Sequence, residues 1–238
     1  MQRLSLPSLM YKLVANRGDL GVDVEMQGVL DRIAELIDEL SIEFDVHLDD
    51  LLITERAKNL FAEVQVKLRT ALDMAFVRVW RKQSPACPNA TILRQVKFPI
   101  YEKQNDFIQY LKKIHLDIVV KNPQLYGLLL QPQPFNGATA MKHLRDLANL
   151  GKHIELPSHA MIAQKGKCLV RQDGSVIMCT AGSGPADPRS RAEFEATAED
   201  VELVSINLIN HLGADPLMSC VGMHLGLRRY LPKLLAYA

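Results

Sequence analysis

Six residues stand out for the chemistry that their types and spacing allow. Arg69 and Asp73 lie one helical turn apart within KLRTALDMAFVRVW (67–80). An Arg and a carboxylate at that step meet on one face of a helix. Val66, Phe76 and Trp80 flank the pair, so partial burial is expected, and a guanidinium removed from water needs a fixed partner. The pair reads either as a structural network or as part of a catalytic site. Arg145, Asn149, Lys152 and His153 gather at the end of a second helix, in LRDLANLGKH (144–153). His153 could serve acid–base chemistry, since an imidazole titrates near ~6.5. Arg145 and Lys152 could hold a phosphate, with Asn149 beside them as a further ligand-binding residue. The same cations also suit plain capping, because they favour the helix dipole and free carbonyls at a C-terminus.

The cysteines offer less. Cys87, Cys168, Cys179 and Cys220 form no C-x-x-C pair, so neither a zinc ribbon nor a thioredoxin-like site is indicated. Asp173–Gly174 lies between two β-rich runs, KCLVRQ and SVIMC, and is a strong two-residue hairpin signal. Counting outward from that turn sets Cys168 opposite Cys179. Buried thiols, a disulfide, or half of a metal site completed by His153 or His159 are all readings of that pair. No metal site is assigned, because two thiols match no established ligand spacing. No cofactor is expected either. The chain has no G-x-x-x-x-G-K-[ST] loop, no G-x-G-x-x-G after a strand, no H-E-x-x-H and no G-x-S-x-G elbow. The GSGP run at 182–185 leads to no clear helix.

Charge is unevenly placed. The net charge is +1, yet residues 19–50 hold eleven acids and one base, and residues 51–153 hold sixteen bases and seven acids. Either the middle segment presents a basic surface to an anion such as RNA, or acidic and basic helices compensate each other.

The positioning elements are mostly helices. Met26, Leu30, Ile33, Ile37, Leu40 and Phe44 recur at three- and four-residue steps, which predicts an amphipathic helix from about residue 25. A longer helix is expected over about 54–82. Residues 91–101 read as irregular, with Pro99 limiting any strand. Asn105 or Asp106 is expected to cap a helix carrying Phe107, Leu111, Ile114 and Ile118, and Asn122–Pro123 to open a short one ending near 130. QPQPFNG (131–137) reads as a turn and 138–150 as the next helix, with Met141, Leu144, Leu147 and Ala148 facing inward. AEFEAT and VELVSINLI would add one or two strands. A last helix follows Asp215–Pro216, with Pro232 bending it or ending it early. The expected fold class is mainly α (α+β): an N-terminal extension (1–21), a helical bundle (22–156), and a small C-terminal antiparallel β-element plus a final helix packing back (157–238). No apolar run is long enough to span a bilayer and no secretory leader is evident, so a cytoplasmic protein without a membrane partner is expected.

Two segments carry a resemblance. Arg69-Thr-Ala-Leu-Asp73, Phe98-Pro-Ile100, Leu130-Gln-Pro-Gln-Pro-Phe-Asn-Gly137 and Asn149-Leu-Gly-Lys-His153 resemble, in that order, motifs of a group of uncharacterised bacterial helical proteins. The match covers about residues 60–156. That group is distantly similar to the HEPN superfamily of helical nucleotide-binding and ribonuclease domains. The resemblance implies a module that binds RNA or a nucleotide, with Arg69, Asp73, Asn149, Lys152 and His153 at its site. HEPN ribonucleases carry an Arg and a His close in sequence at a dimer interface. Here Arg145 and His153 have seven residues between them, which implies a degenerate or atypical ribonuclease-type protein. The alternative is a non-catalytic interaction subunit, a homo-oligomer or a component of a larger complex. A small-molecule enzyme would need a ligand-sized cavity where the two segments converge.

Overall fold

The computed structural model describes residues 3–5, 22–84, 90–150, 159–170, 176–180, 199–208 and 216–238. Helices dominate them. Helix α1 (Val24–Val46) starts where the Asp23 side chain accepts the Met26 N–H at 3.1 Å, one of the orphan donors that a helix start leaves. All six residues of its expected stripe are buried. Helix α2 (Glu55–Gln83) is capped in the same way by Thr54, whose hydroxyl accepts the Ala57 N–H at 3.0 Å. Its buried line runs through Leu60, Val64, Leu68, Ala71, Leu72, Ala75 and Val79, with Phe76 and Trp80 beside it.

The middle of the chain departs from expectation in three places. A short helix, α3 (Ala90–Gln95), precedes the irregular stretch that holds Pro99. Helix α4 (Gln104–Lys113) is entered at Lys103 without a side-chain cap, rather than at Asn105 or Asp106. It also stops short of Ile118, which falls in the separate turn α5 (Ile118–Lys121). The break has a tertiary cause. The buried Trp80 indole N–H donates to the Ile114 carbonyl at 2.8 Å, and His115 turns left-handed at φ 54. Helix α6 (Pro123–Leu130) opens as its sequence suggests, with Asn122 accepting the Leu125 N–H at 3.1 Å and Pro123 in the first turn. A 3₁₀ turn (Pro134–Asn136) ends at Gly137 (φ 90), a conformation that favours glycine. Helix α7 (Thr139–Leu150) buries Leu144, Leu147 and Ala148, while Met141 is only half-buried. Helix α8 (Pro216–Leu235) runs through Pro232. That proline lies in its last turn, where a missing N–H costs little helix beyond it.

The described residues fall into two compact units. One comprises Met1–Asn16, Ile37–Phe61 and Pro157–Val221. It holds a four-stranded sheet of β1 (Arg3–Ser5), β2 (His159–Val170), β3 (Val176–Thr180) and β4 (Glu199–Leu208), in the order β1-β4-β2-β3. Part of the segment expected as an extension therefore supplies a strand, parallel to β4. Strands β2 and β4 pair antiparallel from His159 opposite Leu208 to Cys168 opposite Glu199. Cys168 also stands opposite Cys179 on β3, and the register shifts between Leu169 and Val170, which faces Val176. The expected turn at Asp173–Gly174 and the thiols of Cys87, Cys168 and Cys179 lie outside the described residues, and Cys220 is buried. In this unit Arg56 meets Glu43 at 3.4 Å and Glu39 at 3.7 Å.

The other unit comprises Arg17–Leu36, Ala62–Leu156 and Gly222–Ala238. Here Arg78 joins Asp23 and Glu25. Acids of the first segment thus meet bases of α2 in both units, which accounts for part of the charge asymmetry by compensation. Among the described residues no helix is long and apolar enough to cross a membrane.

His224 on α8 is 5% exposed. Burial, and then the Arg228 charge, push its pKa down from 6.5 to about 4, with Asp31 opposing. The folded protein therefore holds this imidazole neutral, while the unfolded chain takes up its proton first. The stability it contributes is complete above about pH 6.5 and drains away as pH falls towards 4, by on the order of 3 kcal/mol. Urea denaturation across that window should show the slope in the wild type and a flatter line for His224→Gln. An unchanged slope in the variant would exclude His224 as its source.

Candidate anion-binding site

The site is built around Lys97–Tyr101, a stretch with no regular secondary structure, outside the sheet. Buried backbone polar groups must find partners, and here side chains provide them. Asp73 Oδ1 accepts the Phe98 N–H at 2.7 Å, and Arg69 Nη2 donates to the Phe98 carbonyl at 2.7 Å. The two residues also bind each other, Nη2 to Oδ1 at 3.0 Å and Nε to Oδ2 at 3.2 Å. The pair expected from spacing therefore forms, and its joint target is one residue's backbone. Gln133 does the same on the far side. Its Nε2 donates to Pro99 O at 2.8 Å and to Leu129 O at 2.9 Å, while its Oε1 accepts the Tyr101 N–H at 3.1 Å. The Tyr110 hydroxyl accepts the Lys97 N–H at 2.7 Å and donates to the Lys97 carbonyl at 2.6 Å. Arg145 approaches Ile100 O at 3.5 Å.

The side chains fix the stretch as firmly. Phe98 is 1% exposed and lies edge-on to Phe76 of α2 and Tyr230 of α8, with ring centroids 5.9 Å apart in both cases. Burying one such ring contributes roughly 2–3 kcal/mol.

Beside this stretch lies a cavity of about 490 Å³. Five cations line it: Arg69, Arg94, Lys97, Lys113 and Arg145. Tyr101 and Tyr110 complete the wall, and no carboxylate is among the lining residues. Burial raises the pKa of both phenols, so they stay protonated. Arg69 keeps one guanidinium nitrogen, Nη1, that is buried and has no hydrogen-bond partner. Arg145 is held by Glu102 at 2.7 Å and Asp146 at 2.8 Å. Burial works against its charge, and these carboxylates more than offset that, so its pKa lies above the ordinary value. Lys142 binds the other oxygen of Glu102 at 2.8 Å. Hydrogen bonds from Arg145 and Lys142 pull the Glu102 carboxyl down to about 2.

The structure brings Arg69 and Arg145 to one cavity, with Asp73 behind Arg69. Asn149 is exposed and is not among the lining residues. Lys152 and His153 lie outside the described residues. Both oxygens of Asp73 are engaged by Arg69 and Phe98, which makes it a positioning residue rather than a group poised to accept a proton. Sequence reasoning missed Tyr101, Tyr110, Arg94, Lys97, Lys113, Glu102 and Gln133. The fully buried Gln133 sat unnoticed in a proline-rich turn. Among the described residues no group of three His, Cys, Asp or Glu side chains could hold a metal ion.

A solvent-exposed i,i+4 pair couples by about 0.3–0.5 kcal/mol. Arg69 and Asp73 are only 16% and 27% exposed and share a backbone target. Each alanine substitution should cost about 2–3 kcal/mol. A double-mutant cycle in urea should give a coupling above about 1 kcal/mol, whereas a value below about 0.5 kcal/mol would reduce the pair to an ordinary surface contact.

No family model matches the chain, and neither a curated protein nor a solved structure matches it. The functional reading therefore rests on this geometry.

Proposed function

We propose that the helical unit is a HEPN-like module that binds RNA or a nucleotide through the cavity beside Lys97–Tyr101. One observation carries the reading. Five cations and two tyrosines line a single concavity that no carboxylate enters. Cations in a concave, partly desolvated wall concentrate anions far better than cations scattered on a convex surface. Phosphate contacts supply most of the sequence-independent affinity for nucleic acid, and tyrosine rings offer faces to bases. Among the described residues no ion pair engages Arg94, Lys97 or Lys113, so their charge is available to a ligand.

The module reads as a binder, or as a degenerate or atypical ribonuclease. The carboxylate nearest the cavity wall through Arg69, that of Asp73, is spent on the Phe98 backbone. Arg69 then serves binding through its unpartnered Nη1, and Arg145 through its place on the wall.

Fluorescence anisotropy with a labelled single-stranded RNA and a labelled nucleotide, from low to moderate salt, tests this. The wild type should bind at least one of them with a clear salt dependence. Replacing Arg94, Lys97 and Lys113 together by Ala should weaken RNA binding at least tenfold and lower the log–log salt slope by roughly two. Absence of binding at low salt, or binding indifferent to the triple substitution, would refute the cavity as the site.

A further inference from the structure

The Glu102 carboxylate already occupies cations that a phosphate would use. Its Oε1 binds Arg145 Nη2 at 2.7 Å and its Oε2 binds Lys142 Nζ at 2.8 Å. One anion thus spans two cations three residues apart on α7, and Arg145 belongs to the cavity wall. Glu102 and Lys142 are 48% and 44% exposed as side chains. Exposed pairs of this kind are weak and exchange readily. The structure therefore shows a carboxylate with two oxygens on an Arg and a Lys, the same contact that two phosphate oxygens make with such a pair.

Charge decides what can take its place. A phosphodiester within a strand carries one negative charge and would exchange for Glu102 with little electrostatic gain. A terminal phosphate monoester carries about −1.5 to −2 at pH 7 and has three strong acceptor oxygens. Two of its oxygens match those of Glu102, and its larger charge gives it the advantage over a diester at Arg145 and Lys142. Resting on the nucleotide-binding reading above, we propose that the site selects a terminal phosphate monoester, which displaces Glu102 from Arg145 and Lys142. Glu102 is then an internal competitor that screens out ligands carrying only diester charge. The monoester could belong to a mononucleotide or to the phosphorylated end of an RNA, and the chemistry is the same in both.

The test compares short single-stranded RNAs that differ only in a 5′-phosphate or 5′-hydroxyl, by anisotropy, with AMP and adenosine as competitors. The wild type should bind the phosphorylated form about tenfold tighter, and AMP rather than adenosine should displace it if mononucleotides fit. If AMP does not compete while the phosphorylated RNA keeps its advantage, the source is an RNA end and the proposal stands. Glu102→Gln should tighten the hydroxyl form most and so narrow the gap. Arg145→Gln should abolish it, with Lys121→Gln as an equal charge change elsewhere that leaves it intact. Equal binding of both RNAs by the wild type overturns the monoester selection while leaving the nucleic-acid reading in place. A gap unchanged in Glu102→Gln overturns the competitor role. Failure of both RNAs and of AMP to bind at low salt removes the binding reading and this inference together.

Discussion

A stretch of irregular backbone among helices needs hydrogen-bond partners that neither a helix nor a neighbouring strand provides. Lys97–Tyr101 meets that constraint through side chains. Tyr110 serves the N–H and carbonyl of Lys97, Asp73 and Arg69 serve those of Phe98, and Gln133 bridges Pro99 to Tyr101. Leaving one such group unmet costs about 1–3 kcal/mol, a large fraction of a domain's net stability. The helical unit is arranged so that residues from α2, α4 and the turn after α6 all reach this one segment. Three separate sequence segments meet here: Arg69 to Asp73 clamps Phe98, Phe98 to Ile100 is the clamped segment, and Leu130 to Gly137 contains Gln133. Their order along the chain is then the order of parts in one device.

The same device gathers the charge. Holding Phe98 places Arg69 beside the segment, and Lys97 and Tyr101 come with the segment itself. Arg94 and Lys113 enter from the helices on either side of it, and Arg145 from α7. Elsewhere some basic residues of the middle chain are neutralised, as Arg56 is by Glu39 and Glu43, and Arg78 by Asp23 and Glu25. Around the cavity that compensation is incomplete. A structural requirement, meeting the backbone groups of an irregular segment, and a functional opportunity, a cationic wall only partly paired, thus share residues. Of the two readings that the spacing of Arg69 and Asp73 allowed, the structural network is the one their hydrogen bonds to the Phe98 backbone display.

Much of the helical frame was legible because periodicity reports burial directly. Met26 through Phe44 and Leu60 through Val79 mark faces that are buried, and Asn122–Pro123 marks a start that the backbone honours. What escaped was whatever depends on partners distant in sequence. The end of α4 is set by Trp80 reaching Ile114, and no local pattern around Ile114 encodes that. Residues 97–101 are irregular, as Pro99 suggested, but the side chains that hold their backbone could not be read from the local sequence. Gln133 looked like turn polarity, yet it is fully buried and bonds a carbonyl 34 residues away. At the site, the Arg69–Asp73 spacing announced a contact but not its target. Arg145 was singled out from its helix, as a possible phosphate ligand or a capping cation, while the cations that line the cavity with it emerged only when separate elements converged.

Side chains, and no neighbouring strand, hold the backbone of this segment. Amide hydrogen exchange of Phe98 and Tyr101, read residue by residue by NMR, tests this. Their N–H groups are held only by Asp73 and Gln133, and exchange should require opening of the helical unit, so both should be protected to nearly the level of the buried turns of α2. Exchange of these two amides at the rate of free peptide groups would contradict the account.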